Sequence, residues 1–323
     1  MTVALEAVAV AHPNIALSKY WGKREGEGNF PAVPSLSVTL QGLTTRTRVR
    51  WRRDVAGHRL VLGGRAAEGA ESARAFALLD GVRRELGLSE TADVTSDNDF
   101  PTASGLASSA SGFAALALAA VRAAGGDWDA ARVSDLARRA SASAARSVFG
   151  GFVELPVGAT SARVVAPADH LPLAILVCVT TEAAKSVGST DGMRVTMEKS
   201  PYARAWLEHA PRLHAQLREA LLARDFDRVG ELAEASALAM HASAIAAGVT
   251  YWNGATLEAL GVVRRLRAAG AAAYATIDAG PHVKVLTRTE QVATVREALA
   301  QVPGVLRILD ARPGEGARLE GRA

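Results

Sequence analysis

Three residues that lie far apart in the chain are the strongest candidates for acid–base and anion chemistry: Asp278, Lys19 and Arg146. Asp278 lies in a predicted turn between two strands, where it is either a local hydrogen-bond acceptor or, if it faces cations, a general base. Lys19 lies in segment 11–26, which we predict to be an irregular loop that lines a site, although lysines are most often surface charges. Arg146 is either an exposed arginine or a ligand for a carboxylate or phosphate, which its guanidinium can bind with two parallel hydrogen bonds. The chemistry therefore depends on whether the fold brings the three side chains into one pocket.

The stretch PTASGLASSASG, residues 101–112, has the composition of an anion-binding helix start. It follows a predicted strand and runs into a predicted alanine-rich helix. The first N–H groups of a helix have no partners within it, and the helix dipole adds about half a positive charge there, so phosphate is a natural ligand. Gly105 lets an anion approach the backbone, and Ser108 and Ser109 add hydroxyl groups. Helix caps and small packing residues would have the same composition, so both interpretations stay open at this point.

Hydrophobic periodicity and turn residues indicate the elements that would position these side chains. The predicted strands cover 2–10, 33–40, 44–51, 58–64, 91–97, 152–157, 161–167, 171–181 and 304–310, with two more around a turn within 271–287. The predicted helices cover 69–86, 111–124, 131–151, 254–270, 290–302 and a long region, 195–247, broken near Pro211 and Asp225. The pattern changes after the strand that ends near 181, so we predict one domain over 1–184, a second over 185–311, and a disordered tail over 312–323.

Composition excludes several classes of protein. The 323 residues are 49% hydrophobic and 22% charged, which is typical of a globular protein with a sizeable core. No apolar stretch reaches the ~18 residues of a membrane span, and the N-terminus lacks a secretory pattern, so we expect a cytoplasmic protein without a membrane partner. The net charge of +4 is scattered along the chain, which argues against nucleic acid as a partner. The histidines are dispersed, which argues against a metal site built by the protein. Cys178 lies in a predicted buried strand, which argues against a reactive thiol. The sequence lacks the Walker and dinucleotide-binding motifs, which argues against those two nucleotide-binding folds.

Five stretches, taken in order, resemble the diphosphomevalonate decarboxylase family of the GHMP superfamily. They are NIALSKYWGK at 14–23, SLSVTL at 35–40, NDFPTASGLASSASG at 98–112, SASAARSVFGGFVE at 141–154 and IDAGPHV at 277–283. The resemblance implies an α+β, two-domain GHMP kinase fold, with an N-terminal domain like domain 2 of ribosomal protein S5, a ferredoxin-like C-terminal domain and a cleft between them. It implies ATP-dependent decarboxylation of 5-diphosphomevalonate to isopentenyl diphosphate in isoprenoid biosynthesis, with Mg²⁺, in a homodimer.

The same resemblance implies a role for each candidate residue. Asp278 would orient or deprotonate the substrate's 3-hydroxyl, Lys19 would stabilise the charge that develops there, and Arg146 would grip the carboxylate. The implied substrate-binding residues are Asn14, Tyr20, Lys23, Ser141, Ser143, Ser189 and Thr190. The implied nucleotide-binding residues are Asn98, Gly105, Leu106, Ala107, Ser108 and Ser109, with Ser108 also near the metal ion.

Some features of the sequence depart from the family pattern. Val33 and Pro34 stand where many relatives carry an extra serine before SLSV, so contacts with the substrate near 32–35 are expected to differ. Relatives that decarboxylate a monophosphate, or that only phosphorylate the 3-hydroxyl of mevalonate, share much of the pattern. A non-catalytic binding protein on the same scaffold is a further alternative, against which the joint presence of Asp278, Lys19 and Arg146 argues.

Overall fold

The structure, a computed structural model, describes residues 6–24, 26, 28–54, 56–100, 108–183 and 186–321, with the side chains of residues 70 and 71 left out. The strands in these ranges are β1 (Glu6–Ala11), β2 (Asn14–Ser18), β3 (Ser35–Gln41), β4 (Thr45–Arg52), β5 (Arg59–Leu62), β6 (Arg65–Ala66), β7 (Thr91–Asn98), β8 (Phe152–Leu155), β9 (Arg163–Ala166), β10 (Ala174–Val179), β11 (Ala273–Ile277), β12 (Val283–Thr287), β13 (Arg307–Pro313) and β14 (Arg318–Leu319). The helices are α1 (Gly69–Leu86), α2 (Ser108–Ala123), α3 (Ala130–Ala140), α4 (Ala144–Ser147), α5 (Ser189–Lys199), α6 (Ala203–Leu222), α7 (Phe226–Ala246), α8 (Gly254–Ala268) and α9 (Val292–Ala300). The α+β prediction is confirmed.

The first sheet runs in the order β14-β1-β4-β7-β5-β6, and α2 packs against it. β4 alternates buried and exposed residues, as expected of a strand with one face on the core and one in solvent. Trp51 on its buried face donates its indole N–H to the carbonyl oxygen of Ala120 at 3.0 Å, which fixes the helix on the sheet. Small side chains make this close packing possible, since most of the buried positions of α2 are alanines. The sheet therefore holds the start of α2 beside the ends of β4 and β7.

The second sheet runs in the order β11-β12-β10-β13-β3-β8-β9, and β2 pairs with β3 off this path. β11 and β12 are buried at every position, because helices cover both faces. α8 and α9 cover the face that carries Ala275 and Val285, whereas α7 covers the face that carries Tyr274 and Leu286. Gly230 of α7 is required for this contact, since a Cβ there would lie 2.2 Å from the Tyr274 ring.

Two predicted helices differ from the observed ones. The helix predicted over 131–151 is two helices, because the backbone of Ser141 is extended and ends α3, and only the single turn of α4 follows. Pro211 does not break α6, which runs through it. Leu207, four residues earlier, is the residue whose carbonyl loses its helical partner, and it is exposed to water. The observed breaks lie at 200–202, which was not predicted, and at 223–225, where the break predicted near Asp225 is confirmed.

Two segments predicted to lack regular structure contain strands. Asn14–Ser18 in segment 11–26 forms β2, with a register shift between Ala16 and Ser18 where it pairs with β3. The tail over 312–323 is wrongly predicted as disordered in its described part, since β13 extends to Pro313 and β14 pairs with β1. This part of the tail is anchored because Gly316 packs directly on the backbone of Val148 and Phe149, where a Cβ would lie 2.5 Å from a carbonyl oxygen.

Strand pairing does not divide the chain at residue 184. β10 precedes that residue, yet it pairs antiparallel with β12 on one side and β13 on the other. The domain boundaries at 184 and 311 therefore stay predictions. Among the described helices, none is long and apolar enough to cross a membrane.

Candidate active site

A lysine and an aspartate from opposite ends of the chain meet where β2 and β11 end. β2 ends at Ser18, and the N–H of the next residue, Lys19, donates to the hydroxyl of Ser236 on α7 at 2.9 Å. The ammonium group of Lys19 donates to the carbonyl oxygen of Ala16 at 2.8 Å and to Oδ1 of Asp278 at 2.7 Å. The other carboxylate oxygen, Oδ2, lies 3.3 Å from Nζ of Lys284 on β12. Two buried ammonium groups thus bracket one carboxylate.

Burial and charge act against each other in this cluster. Lys19 is 2% exposed, and its burial lowers its pKa to about 8, although the Asp278 carboxylate acts in the opposite direction. Burial disfavours the ionised form of Asp278, but the charges of Lys19 and Lys284 outweigh it and hold the pKa of its carboxyl group well below the usual range. At neutral pH the cluster therefore contains a carboxylate and a lysine whose ammonium form is disfavoured by burial.

Arg146 is buried near enough to Asp278 for the two charges to interact, but it forms no ion pair with an acidic side chain among the described residues. Its three nitrogens donate to neutral oxygens: Nε to Ser37 at 3.0 Å, Nη1 to Ser35 at 2.7 Å, and Nη2 to Asn14 at 3.3 Å. Burial lowers its pKa to about 10, with Asp278 and Tyr20 opposing the shift, so the guanidinium stays charged at neutral pH. A buried cation held only by neutral groups is suited to bind an anionic ligand.

Asn14 links Arg146 to the serine segment that precedes α4. Its amide nitrogen donates to the carbonyl oxygen of Ser143 at 2.9 Å and to the hydroxyl of Ser147 at 2.7 Å, which orients its oxygen toward the guanidinium. The hydroxyl groups of Ser141 and Ser143 lie 3.1 Å apart. The guanidinium of Arg146 thus contacts residues of β2 and β3 and not the serines of its own segment.

Lys23 is a further lysine of this site, and it contacts Asn29 and Thr190. Its ammonium group donates to Oδ1 of Asn29 at 2.7 Å and to the hydroxyl of Thr190 at 3.1 Å. Burial lowers its pKa, the nearby charge of Arg74 lowers it further, and Asp191 acts in the opposite direction. Burial also raises the pKa of Tyr20 far above its ordinary value, so its hydroxyl, which has no partner among the described residues, stays a donor.

Two cavities meet at Ser109. The smaller one, of about 170 Å³, is lined by residues that include the catalytic candidates Asp278, Lys19 and Arg146, the substrate-binding candidates Asn14, Tyr20, Lys23, Ser141, Ser143, Ser189 and Thr190, and Ser109. The larger one, of about 440 Å³, lies between β4, β5, β7 and α2 and includes the nucleotide-binding candidates Asn98, Ser108 and Ser109 in its wall. Gly105, Leu106 and Ala107 lie outside the described residues. The geometry thus gathers the described candidates around two adjoining spaces.

Sequence reasoning missed several residues of this site. Lys284 and Arg74 were not among the candidates, although a lysine inside the apolar stretch VKVLT was an available signal. Ser35 and Ser37 lie in the SLSVTL motif but had no assigned role. His241 is fully buried on α7, with its Nε2 3.3 Å from the carbonyl oxygen of Ile277, and burial and the charge of Lys19 lower its pKa to about 3. This histidine is therefore neutral beside the cluster.

The described residues contain no group of three or more His, Cys, Asp or Glu side chains that could hold a metal ion. Ser108, the predicted metal contact, lies at the start of α2 and in the wall of the larger cavity.

Comparisons with known proteins place the chain in one family. Residues 11–166 match the family model of the diphosphomevalonate decarboxylase-like N-terminal domain, and residues 175–310 match that of the mevalonate 5-diphosphate decarboxylase C-terminal domain. The chain is 35% identical to the phosphomevalonate decarboxylase of Haloferax volcanii over 92% of each chain. It is 37% identical to the human diphosphomevalonate decarboxylase over 90% of this chain and 78% of the human one.

A solved structure of MDDEF in complex with MVAPP, AMPPCP and magnesium is similar over 98% of this chain and 99% of that one, with a TM-score of 0.91 and 37% sequence identity. Both halves of the chain match models of one family, and relatives above 30% identity span nearly all of it. The chain belongs to the diphosphomevalonate decarboxylase family of the GHMP superfamily.

Proposed function

We propose that this chain catalyses the ATP-dependent decarboxylation of (R)-5-diphosphomevalonate to isopentenyl diphosphate, CO₂, ADP and phosphate. One observation carries the proposal: a carboxylate between two buried ammonium groups shares a cavity wall with a buried arginine that has no acidic partner in the described chain. The substrate offers a hydroxyl for the first group and a carboxylate for the second. Membership of the family supports the same reaction.

The first step is phosphorylation of the substrate's 3-hydroxyl. Asp278 accepts the hydroxyl proton as the oxygen bonds to the γ-phosphorus of ATP and ADP leaves. Its depressed pKa makes it a weak base, so proton transfer accompanies the phosphoryl transfer and does not precede it. Lys19 donates to the same carboxylate and adds positive charge where the alkoxide and phosphoryl oxygens develop negative charge. Ser109 lines both cavities, so transfer occurs where they meet.

The second step breaks two bonds. The C3–O bond to the new phosphate breaks, which leaves electron deficiency at C3, and the C1–C2 bond breaks as CO₂ departs. The electron pair of the C1–C2 bond forms the double bond between C2 and C3. Arg146 orients the substrate carboxylate with the N–H groups that are not hydrogen-bonded to Ser35, Ser37 and Asn14. Since a strong ionic grip would oppose departure of CO₂, orientation matters more here than charge.

The other polar residues of the smaller cavity would bind the diphosphate. Lys23, Tyr20 and the hydroxyl groups of Ser141, Ser143, Ser189 and Thr190 line its wall. Lys23 is held by Asn29 and Thr190, so its ammonium group is positioned before a ligand arrives.

ATP would occupy the larger cavity, with its phosphates toward Ser108, Ser109 and the start of α2. MDDEF was solved with AMPPCP and magnesium, which supports ATP and Mg²⁺ as the cofactors of this chain. Mg²⁺ neutralises charge on the phosphate oxygens when it is bound. The hydroxyl of Ser108 would contribute to its binding, and the nucleotide phosphates would supply most of its ligands. Asn98 lines the larger cavity, and Gly105, Leu106 and Ala107, which lie outside the described residues, complete the proposed nucleotide site.

A second candidate function is decarboxylation of 5-phosphomevalonate. It is supported by the similarity to the phosphomevalonate decarboxylase of Haloferax volcanii, which extends over 92% of both chains. Purified protein should be assayed for ATP-dependent release of CO₂ and phosphate from 5-diphosphomevalonate, 5-phosphomevalonate and mevalonate. Our proposal expects the highest kcat/KM with the diphosphate. A preference for the monophosphate would establish the second candidate, and ADP formation from mevalonate without CO₂ would indicate a 3-kinase.

We also propose that the protein is a cytoplasmic homodimer with domains over 1–184 and 185–311. The family resemblance supports the dimer and the domains. Sedimentation equilibrium should give twice the chain mass of 33.6 kDa, and a mass equal to one chain would exclude the dimer.

A further inference from the structure

Lys284 is a buried cation that the reaction steps above leave without a role. It is 1% exposed, it is not in the wall of either cavity, and its ammonium group makes no hydrogen bond within the described chain. Its only charged neighbour of opposite sign in that part of the chain is Asp278, at 3.3 Å. An ammonium group taken out of water without hydrogen bonds is destabilising, and an apolar side chain of similar volume would avoid the penalty. A position in contact with the reacting carboxylate explains why a charge is present there.

Strand geometry fixes this contact. Lys284 pairs directly with Thr276 across the β11–β12 hairpin, so both side chains point to the face covered by α7. Asp278 follows Thr276 by two residues and returns to the same face. Thr276 donates its hydroxyl to the carbonyl oxygen of Ala16, which also accepts from Lys19. The hairpin and the end of β2 are therefore held together on the side where the carboxylate lies.

The other charged and titratable groups around Asp278 do not replace Lys284. Lys19, from the end of β2, binds the opposite carboxylate oxygen, and Arg146 of α4 is engaged with serines and asparagine. His241 of α7 and His282, just after the turn, are fully buried, and burial, with the charges of nearby cations, lowers the pKa of each to about 3. Both imidazoles are neutral near pH 7. Lys284 is thus the cation that faces Oδ2.

We propose that Lys284 is a positioning residue for the decarboxylation: it holds Oδ2 of Asp278 from behind, so that the carboxylate stays ionised and oriented between two ammonium groups. Lys284 does not reach the substrate. Its charge also repels that of Lys19, which contributes to the lowered pKa of Lys19. This inference rests on the proposed function, because it assigns Lys284 through the role of Asp278 in that reaction.

The test is the pH dependence of kcat/KM for CO₂ release, which reports the ionisation of the free enzyme, in wild type and Lys284→Met. Without the positive charge of Lys284, the ammonium form of Lys19 is more stable, so the pKa of Lys19 rises. The basic limb of the pH profile should therefore move to higher pH by about one pH unit. The pKa of Asp278 rises too, so any acidic limb also moves up. At pH 7 we expect kcat/KM to fall at least about tenfold, because the carboxylate loses its second anchor.

Val285→Ala is the matched control. Val285 is fully buried on the same strand, but it faces α8 and α9 and not the site. This variant should lower the melting temperature and leave both limbs of the pH profile where they are in wild type. Lys284→Met removes one partner of a buried ion pair, so its melting temperature is measured in parallel, and the positions of the two limbs, not the stability, decide the outcome.

The outcomes separate the two proposals. Wild type that releases no CO₂ from either phosphorylated mevalonate overturns the proposed function. Active wild type together with a Lys284→Met enzyme whose kcat/KM and basic limb match wild type overturns the role of Lys284. A third outcome is that Lys284→Met loses activity together with a lowered melting temperature, while both limbs of the pH profile stay where they are in wild type, as in Val285→Ala. That result would show that Lys284 is merely structural, and it would also overturn the positioning role.

Discussion

Replacement of Arg146 by lysine tests whether the buried arginine binds the substrate carboxylate through a fork of donors. The guanidinium has five N–H groups. Three of them, one on each nitrogen, donate to Ser37, Ser35 and Asn14 respectively. Two N–H groups remain for a carboxylate. A lysine has three, mounted on one atom, so it cannot keep these neighbours and also present two parallel donors. At least one charge-assisted hydrogen bond to the substrate is lost, which amounts to about 1.5–3 kcal/mol.

This free energy corresponds to a fall in kcat/KM of roughly 10- to 150-fold. The assay is ATP-dependent CO₂ release at pH 7, with the melting temperature measured in parallel. Arg267→Lys is the matched control, because Arg267 grips Glu234 with bonds of 2.9 and 3.1 Å and lies outside both cavities. The control should lose stability but keep kcat/KM. A loss below about tenfold in Arg146→Lys would refute the fork of donors.

Three further predictions follow from the charges in the structure. In wild type, kcat/KM should fall as the pH rises through about 8, because Lys19 loses its proton there; a flat profile to pH 10 would contradict a required ammonium group. Asp278→Asn should reduce kcat by about 10²–10⁴ while ATP still binds with a normal Kd by calorimetry; near-normal kcat would exclude a proton acceptor here. Hydrogen bonding to His214 and to Arg163 lowers the pKa of Glu154 to about 2, so its ionised form stabilises the fold above its ordinary pKa of 4.5, and this stabilisation is lost as the pH falls toward 2. Glu154→Gln should therefore lower the free energy of unfolding at pH 7 by about 3 kcal/mol and less at pH 3, and equal losses at both pH values would contradict the assignment.

Local patterns predicted the regular elements well where a single face is buried. The helix predicted over 69–86 coincides with α1, because its apolar spacing ends at Gly87, which adopts the left-handed conformation of a helix end. The alternation in β4 likewise identified a half-buried strand. The helix predicted over 131–151 was wrong in its second half, since the break at Ser141 depends on where the following serines are held. The described part of the tail was also wrongly predicted, because its strand exists only where β1 offers an edge.

The candidate residues were selected from the sequence by chemical type and by resemblance to a family, and their roles stay predictions. Their spacing along the chain says nothing about contact, since 259 positions separate Lys19 from Asp278. Lys284 lies only six positions from Asp278, but a lysine inside an apolar strand does not indicate which side chain it contacts. Hairpin pairing with Thr276 is what brings it to the carboxylate.

The sequence by itself determined most of the helices and the half-buried strands, and also which side chains can carry charge, because those properties depend on neighbours within a few residues. Tertiary structure alone decided that Lys19 and Lys284 share one carboxylate, that Arg146 is held by neutral oxygens, and that two cavities meet at Ser109. The reason is physical. Burial and the distance between charges set the protonation of each group, and both are fixed only when distant segments pack together.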